Sequence, residues 1–226
     1  MRLIVFSDVH GNVDALRKMI DVEGEEGNYL FCGDLAGYYY DALECMYELK
    51  RIHLVAAVRG NHDQYYIDAF SNCERTNELC IKYGNSYKYK SKELFEYMLE
   101  LPVTVEMNAN NKIAIIQHGS LSNRLEGRWY PDTEIEIPKA SEAIFVVCGH
   151  THYRMHRIIN GLQIINPGSL GQPRDGMGFS YCILETDSME VEFRNVSIDL
   201  NYLERRIKRE DPGKPYLINV LRRGHS

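Results

Sequence analysis

The first elements of the fold are predicted by the stretch Leu3-Ile4-Val5-Phe6-Ser7-Asp8-Val9-His10-Gly11-Asn12. Its four leading apolar residues are typical of a buried strand, and the polar residues after Phe6 predict a turn where that strand ends. From Asn12 to Ile20 the apolar residues recur with helical spacing. The opening sequence therefore predicts a strand, a polar turn and a helix.

The same order recurs downstream. Tyr29 to Cys32 and His53 to Val58 are further strand-like runs, with a helical pattern from Asp41 to Leu49 between them. Strands that alternate with helices indicate a parallel sheet. The first half of the chain is therefore predicted to be α/β.

The second half is predicted to be mostly β. After His62 a polar, tyrosine-rich helical stretch extends to Leu99, with Ser91 as the N-cap of its last helix. Hairpin turns are expected at Asn108-Ala109-Asn110-Asn111 and at Asn160-Gly161. Further strands are predicted at Val103–Met107, Lys112–Gln117, Ile144–Cys148, Arg154–Ile159, Leu162–Asn166, Tyr181–Glu185 and Val191–Val196, with a final helix at Leu200–Arg209.

Length and composition describe an ordinary globular protein. The 226 residues are 44% hydrophobic and 26% charged, and no linker or repeat divides them, so we expect one domain over 1–226. Within it, 64–100 is expected to be a helical, cap-like insertion and 200–226 a C-terminal helix and tail. No apolar run is long enough for a bilayer span or a signal peptide, which favours a cytoplasmic protein without membrane association.

Charge and cysteine content exclude other classes. The net charge of −6 argues against a nucleic-acid partner, and the basic stretch from Arg205 to Arg223 is explained by a solvated helix face. The six cysteines lack CxxC spacing, which favours core filling over disulfides or zinc binding.

Polar clusters follow five of the predicted strands. Because the carboxyl ends of strands in open α/β sheets meet at one crevice, we expect these clusters to converge. Carboxylate, imidazole and amide ligands without a thiolate suit manganese, iron or zinc, and buried charges are costly unless they are paired or bound to a metal. His53, His156 and His225 lie outside the clusters and are interpreted as structural or solvated. The seven candidate metal ligands are Asp8, His10, Asp34, Asn61, His118, His150 and His152.

These clusters closely resemble the pattern of the calcineurin-like metallophosphoesterases: D-x-H, G-D, G-N-H-D/E, a lone His and G-H-x-H, in that order from Arg2 to about Asp187. The resemblance implies a four-layer α/β sandwich with two mixed β-sheets flanked by helices. It also implies a phosphoesterase with two divalent metals that share Asp34. One metal would be held by Asp8, His10, Asp34 and His152, and the other by Asp34, Asn61, His118 and His150.

A narrower resemblance concerns small prokaryotic members of the family, known as diadenosine tetraphosphatase-like proteins or predicted phosphoesterases. The segments Ile165–Gly176 and Gly33–Tyr38 are similar to theirs. The family's protein serine/threonine phosphatases carry an aspartate and a phosphate-binding arginine where this chain has Gly37 and Tyr38. That difference argues against a protein phosphatase and requires any phosphate-binding arginine to come from elsewhere.

The expected mechanism uses a hydroxide bridging two cations, about 3.5 to 4 Å apart, as the nucleophile. His62 follows a candidate ligand on the same turn, so we expect it to act as the general acid. The alternative for His62 is a structural hydrogen bond to Asp63 or a nearby carbonyl. The expected substrate is a small phosphomonoester, phosphodiester or dinucleoside polyphosphate, with a preference for a nucleotide; the competing interpretation is a metal-binding scaffold with a vestigial site.

Two substrate-binding residues are proposed, each with an alternative. Asn12 either binds phosphate at the start of the first helix or caps that helix. Arg174 either clamps phosphate or forms a surface salt bridge with Asp175. The loop Gly119–Ala140, with Arg124, Arg128, Trp129 and Tyr130, suits either base stacking and phosphate binding or packing, and the tyrosines of Gln64–Tyr89 suit either a substrate-facing cap or an oligomer contact.

Overall fold

The computed structural model describes residues 1–109, 112–137 and 143–223, and its strands there form two five-stranded sheets. The first sheet contains β1 (Arg2–Phe6), β2 (Asn28–Phe31), β3 (His53–Ala57), β9 (Phe179–Glu185) and β10 (Glu190–Val196), in the order β10-β9-β1-β2-β3. The second contains β4 (Thr104–Ala109), β5 (Lys112–Gln117), β6 (Ala143–Val147), β7 (Arg154–Ile159) and β8 (Leu162–Pro167), in the order β4-β5-β6-β8-β7.

Both sheets are mixed. In the first, β1, β2 and β3 are parallel, whereas β9 is antiparallel to β1. In the second, β5, β6 and β8 are parallel, with β4 and β7 antiparallel at the edges. The parallel strands run in the same direction within each sheet, so the loops after them gather at one end. The predicted α/β sandwich of two mixed sheets is confirmed.

The core follows from alternation along the strands. In β1, Leu3 and Val5 face the second sheet, while Ile4 and Phe6 face the helices. A strand buried on both faces needs apolar residues at every position, which explains the unbroken apolar run that starts the chain. On its outer face the second sheet is covered by Trp129 and Ile135.

The helices are α1 (Val13–Glu23), α2 (Ala42–Arg51), α3 (Asn61–Ala69), α4 (Cys73–Tyr83), α5 (Lys92–Glu100), α6 (Asn201–Glu210) and α7 (Tyr216–Leu221), with a short 3₁₀ helix at Asn85–Lys88. Ser91 caps α5 by accepting a hydrogen bond from the N–H of Leu94, as predicted. None of the helices within the described ranges is long and apolar enough to cross a membrane.

The structure corrects the predicted C-terminal helix and confirms one of the two predicted hairpin turns. The prediction that the helix at Leu200–Arg209 is the last one was wrong, because α7 follows it. The helix α7 is too short for helical periodicity to be recognised in its sequence, although its residues Leu217 and Leu221 are buried. Asn160 and Gly161 both have positive φ, which confirms the hairpin turn between β7 and β8. Residues 110 and 111 of the other predicted turn, residues 138–140 of the long loop, and His225 lie outside the described residues.

Core filling is confirmed for five of the six cysteines but not for Cys73, and the interpretation of His53 and His156 is confirmed. Cys73 is exposed, and the other cysteines are buried and reduced. His53 and His156 are exposed, and each has a side-chain hydrogen bond, to Asn28 and Gln163 respectively.

Candidate metal centre

The strand ends bring the predicted ligands together in two groups. In each group the ligand atoms lie within 4.8 Å of one another. Asn61 joins the second group, because its Oδ1 is 3.1 Å from Nε2 of His118. The groups are Asp8, His10, Asp34 and His152, and then Asp34, His118 and His150, so Asp34 belongs to both.

Backbone carbonyls orient three of the imidazoles. In His10, His118 and His152 the Nδ1 atom lies 2.7 to 2.8 Å from a carbonyl oxygen. A carbonyl can only accept, so Nδ1 carries a proton and Nε2, which holds a lone pair when the ring is neutral, faces the centre. The accepting carbonyls belong to Ala36, Cys32 and Gln172, respectively.

Ligand atoms crowd together in the centre. Nε2 of His152 is 3.1 Å from both Nε2 of His10 and Oδ1 of Asp8. Nε2 of His118 is 3.2 Å from Oδ2 of Asp34. Such crowding of buried lone pairs is unfavourable unless a cation lies among them. Among the residues that the structure describes, the buried atoms Asp8 Oδ1, Asp34 Oδ2 and His150 Nε2 have no hydrogen-bond partner, so the residues fit a pair of bound metal ions.

Burial and neighbouring charge shift the pKa values of two of the imidazoles in opposite directions. Burial lowers the pKa of His10 to about 4. Burial also acts to lower the pKa of His118, but the carboxylates of Asp34 and Asp8 outweigh it and raise that pKa to about 9. A metal ion bound between these groups would displace the proton on His118, because ligands bind in their deprotonated forms.

The ligand loops adopt a strained backbone. Asp8, His10, Asp34, His150 and His152 all have φ between 50° and 68°, a region that few non-glycine residues occupy. Such conformations cost about 1 to 3 kcal/mol each and concentrate at functional sites. The strain turns each side chain from its strand end toward the common centre.

His62 lies beside the first group of ligands. Its ring centroid is 5.0 Å from that of His10, and its backbone N–H donates to Oδ1 of Asp34 at 2.8 Å. Neither Asp63 nor a carbonyl is the partner of its ring, as the alternative required; Nδ1 instead lies 2.6 Å from the hydroxyl of Tyr87. Burial lowers the pKa of His62 well below its usual value.

The two candidate substrate-binding residues differ. Asn12 is the N-cap of α1, and its amide also donates to the carbonyl of Leu170, so the capping alternative is what the structure shows. Arg174 does not pair with Asp175, which binds Arg154 instead. The guanidinium of Arg174 donates to the hydroxyl of Tyr38 and to Oε1 of Gln172, at 3.1 and 3.0 Å.

The loop that begins at Gly119 was predicted either to bind substrate or to pack against the protein, and its residues differ in this respect. Trp129 is only 8% exposed and packs in the core on the second sheet, so it is a packing residue. Arg128 is exposed, and its charge acts on His150. Glu126 accepts a hydrogen bond from Tyr65 of α3 at 2.7 Å, which joins the loop to the tyrosine-rich segment.

Some residues that support the ligands were not predicted. The carboxylate of Asp63 accepts from the backbone N–H groups of Asp34, Ala36 and Gly60, each at 2.9 Å. Asn166 donates to the carbonyl of Gly149 and to the hydroxyl of Thr151, on the loop that carries His150 and His152. Ser169 donates to the carbonyl of Asp8 at 2.8 Å. Their positions beside ligand motifs were the available signal, but their hydrogen-bond partners depend on the fold.

The chain is similar in sequence or in fold to several known proteins. The chain is 28% identical over 222 residues to the uncharacterized protein MJ0912 of Methanocaldococcus jannaschii, covering 88% of each. Its fold is similar to that of a metallophosphoesterase from Sphaerobacter thermophilus, with a TM-score of 0.79, 24% identity and coverage of 99% and 100% of the two chains. It is also similar to that of an archaeal phosphodiesterase, with a TM-score of 0.52, 19% identity and coverage of 87% and 100%. The calcineurin-like phosphoesterase superfamily domain matches residues 1–189, so the chain belongs to that superfamily and is a hydrolase of phosphate bonds.

Proposed function

We propose that the protein hydrolyses small phosphate esters or dinucleoside polyphosphates with two divalent metal ions that share Asp34. The observation that carries the proposal is the set of buried, unpartnered ligand atoms on Asp8, Asp34 and His150. Asp8, His10 and His152 would complete one metal site with Asp34, and Asn61, His118 and His150 would complete the other. When bound, the metals lower the pKa of water and offset negative charge on the phosphoryl oxygens.

His62 would act as the general acid in this reaction. Its Nδ1 is held by Tyr87, so Nε2 is the nitrogen that can give a proton to the leaving oxygen. Although burial lowers the pKa of this ring, a bound phosphate carries negative charge, which favours the protonated form. His62 is therefore expected to matter most when the leaving group is a poor one.

Arg174 would bind the phosphate. Its guanidinium lies 6.0 Å from the ring centroid of Tyr38, and that ring is 4.7 Å from His10. Its guanidinium donates to the hydroxyl of Tyr38 and the amide oxygen of Gln172, and neither of these neutral groups neutralises its positive charge. The aromatic rings of Tyr65 and Tyr83 beside His62 favour a nucleotide over an aliphatic phosphate, because bases stack on such rings.

The proposal is tested by measuring hydrolysis of p-nitrophenyl phosphate, bis-p-nitrophenyl phosphate and a panel of dinucleoside polyphosphates, cyclic nucleotides, oligonucleotides and phosphopeptides. The protein is stripped with a chelator and then reloaded with manganese, iron or zinc. We expect turnover only after reloading, with bound metal rising to two ions per chain. A chain that binds two metals and hydrolyses none of these compounds would be a metal-binding scaffold instead.

A further inference from the structure

The ring of His62 is held by a tyrosine from a distant segment. The hydroxyl of Tyr87 lies 2.6 Å from Nδ1 of His62, a short hydrogen bond. Tyr87 is only 1% exposed, so water does not compete for this contact. Burial raises the pKa of Tyr87 well above its usual value, so its hydroxyl keeps its proton.

The backbone at Gly37 leaves room for this pair. A Cβ atom there would lie 2.5 Å from Nδ1 of His62 and 3.0 Å from the hydroxyl of Tyr87. Its φ of +90° is also one that side chains with a Cβ rarely adopt. Any other residue at this position would therefore push His62 and Tyr87 apart.

The segment that carries Tyr87 is anchored from the far end of the chain. The N–H of Asn85, which begins the 3₁₀ helix, lies 3.1 and 2.9 Å from the two carboxylate oxygens of Asp211. Asp211 also accepts from the hydroxyl of Tyr40 at 2.8 Å and is only 4% exposed. The backbone two residues before Tyr87 is thus anchored by a buried carboxylate from the far end of the chain.

We propose that Tyr87 is a positioning residue that holds Nε2 of His62 toward the leaving oxygen of the substrate. This rests on the proposed role of His62 as general acid. In the imidazolium form, Nδ1–H donates to the hydroxyl oxygen of Tyr87 and Nε2–H faces the leaving group. As a hydroxide oxygen bonds to phosphorus and the P–O bond to the leaving group breaks, the electron pair of the broken bond goes to the leaving oxygen, which takes the proton from Nε2. His62 is left neutral with its remaining proton on Nδ1, still bonded to Tyr87, and regains a proton from water.

The test compares the wild type, Tyr87→Phe, His62→Ala and the double variant in the metal-loaded enzyme. Phenyl phosphate serves as the substrate with the poor leaving group and p-nitrophenyl phosphate as the one with the good leaving group. Tyr87→Phe should lower kcat for phenyl phosphate about tenfold, the effect of losing one hydrogen bond to a charged group, with KM and metal content unchanged. The loss should be much smaller for p-nitrophenyl phosphate, and Tyr87→Phe should have no further effect once His62 is alanine. Tyr29→Phe is the matched control, because its buried hydroxyl donates to the carbonyl of Gly24, far from the site.

The outcomes separate this proposal from the function on which it rests. If His62→Ala equals the wild type, the acid role itself is wrong. If His62→Ala is impaired but Tyr87→Phe is not, only the role of Tyr87 is refuted, as it is when Tyr87→Phe slows both substrates equally. Gly37→Ala provides a second variant should Tyr87→Phe fail to fold, since its methyl group would separate the same pair. Introduced into the wild type, Gly37→Ala should lower kcat more for phenyl phosphate than for p-nitrophenyl phosphate, as Tyr87→Phe does. Introduced into His62→Ala, it should cause no further loss.

Discussion

The two sides of the active site are built in different ways. On one side, the ligand loops carry Asp8, His10, Asp34, His150 and His152, whose backbone is strained, and nearby carbonyls fix the imidazoles of His10 and His152. On the other side, the tyrosine surround of His62, namely Tyr38, Tyr65, Tyr83 and Tyr87, comes from separate segments whose rings contact the imidazole. The first side is specified by short motifs at strand ends, and the second by contacts across the fold.

Because the two sides are built from different residues, metal binding and proton transfer should be separable by mutation. Changes in the ligand loops should alter metal content first, with activity following. Changes around His62 should alter kinetics while metal content stays constant.

Asp34→Asn should have the largest effect, because it removes charge from the residue shared by both ligand groups. Metal assistance stabilises the transition state by several kcal/mol, so activity should fall more than about 10³-fold. Elemental analysis should show loss of both metals. Asp21→Asn, at an exposed position on α1, is the control and should match the wild type. Retention of both metals by Asp34→Asn would contradict the shared ligand.

His62→Ala should lower kcat about 10²-fold or more for substrates with poor leaving groups, the range found for general acids. Its metal content should remain that of the wild type, since the ring of His62 belongs to neither ligand group. Steady-state kinetics over a series of aryl phosphates measures this effect, with His156→Ala on β7 as the exposed control. Loss of metal from His62→Ala would instead make His62 a ligand.

Asn166→Ala should weaken metal binding about 10- to 100-fold, the range for residues that orient ligands without touching the metal. The reason is the lost hydrogen bonds to Gly149 and Thr151, which hold the loop of His150 and His152. Metal titration by calorimetry measures the change. Asn28→Ala is a matched control, because Asn28 also donates to a carbonyl, that of Arg2, at the opposite end of β2. Equal affinities in the two variants would show that Asn166 is dispensable.

Arg174→Ala should raise KM about tenfold, the effect of losing a charge-assisted hydrogen bond to phosphate. Bound metal should not change, because the side chain of Arg174 contacts Tyr38 and Gln172 rather than the side chains of the ligands. Arg154→Ala, which breaks the ion pair with Asp175, serves as the control for a neighbouring arginine. An unchanged KM for Arg174→Ala would remove it from the substrate site.

The smallest effect is expected far from both sides, at Glu23. Burial acts to raise the pKa of this carboxyl, but hydrogen bonds from Arg2, Tyr181 and Arg194 lower it below its ordinary value of 4.5. Its contribution to stability is therefore present above that value and lost as the pH falls through the lowered pKa. Glu23→Gln should cost about 1.5 to 3 kcal/mol at pH 7 in urea unfolding, with the difference narrowing in acid and kcat unchanged. A difference independent of pH would mean that the charge of Glu23 does not matter.

The sequence predicted one side of this comparison better than the other. Asp8 and His10 directly follow an apolar strand, so their convergence with Asp34 could be inferred from strand order alone. Tyr87 is 25 residues from its partner His62, and no periodicity links them. The sequence does not distinguish stacking of Trp129 on a substrate from packing, whereas the structure buries it in the core of the second sheet. Side-chain contacts of this kind depend on how distant segments pack, which local pattern does not encode.

Anomalous diffraction from crystals loaded with manganese should locate the pair of metals that shares Asp34. We predict two peaks about 3.5 to 4 Å apart, with Asp34 between them. One should lie among Asp8, His10 and His152, and the other among Asn61, His118 and His150. A single peak, or two peaks of which only one is bound by Asp34, would contradict the account.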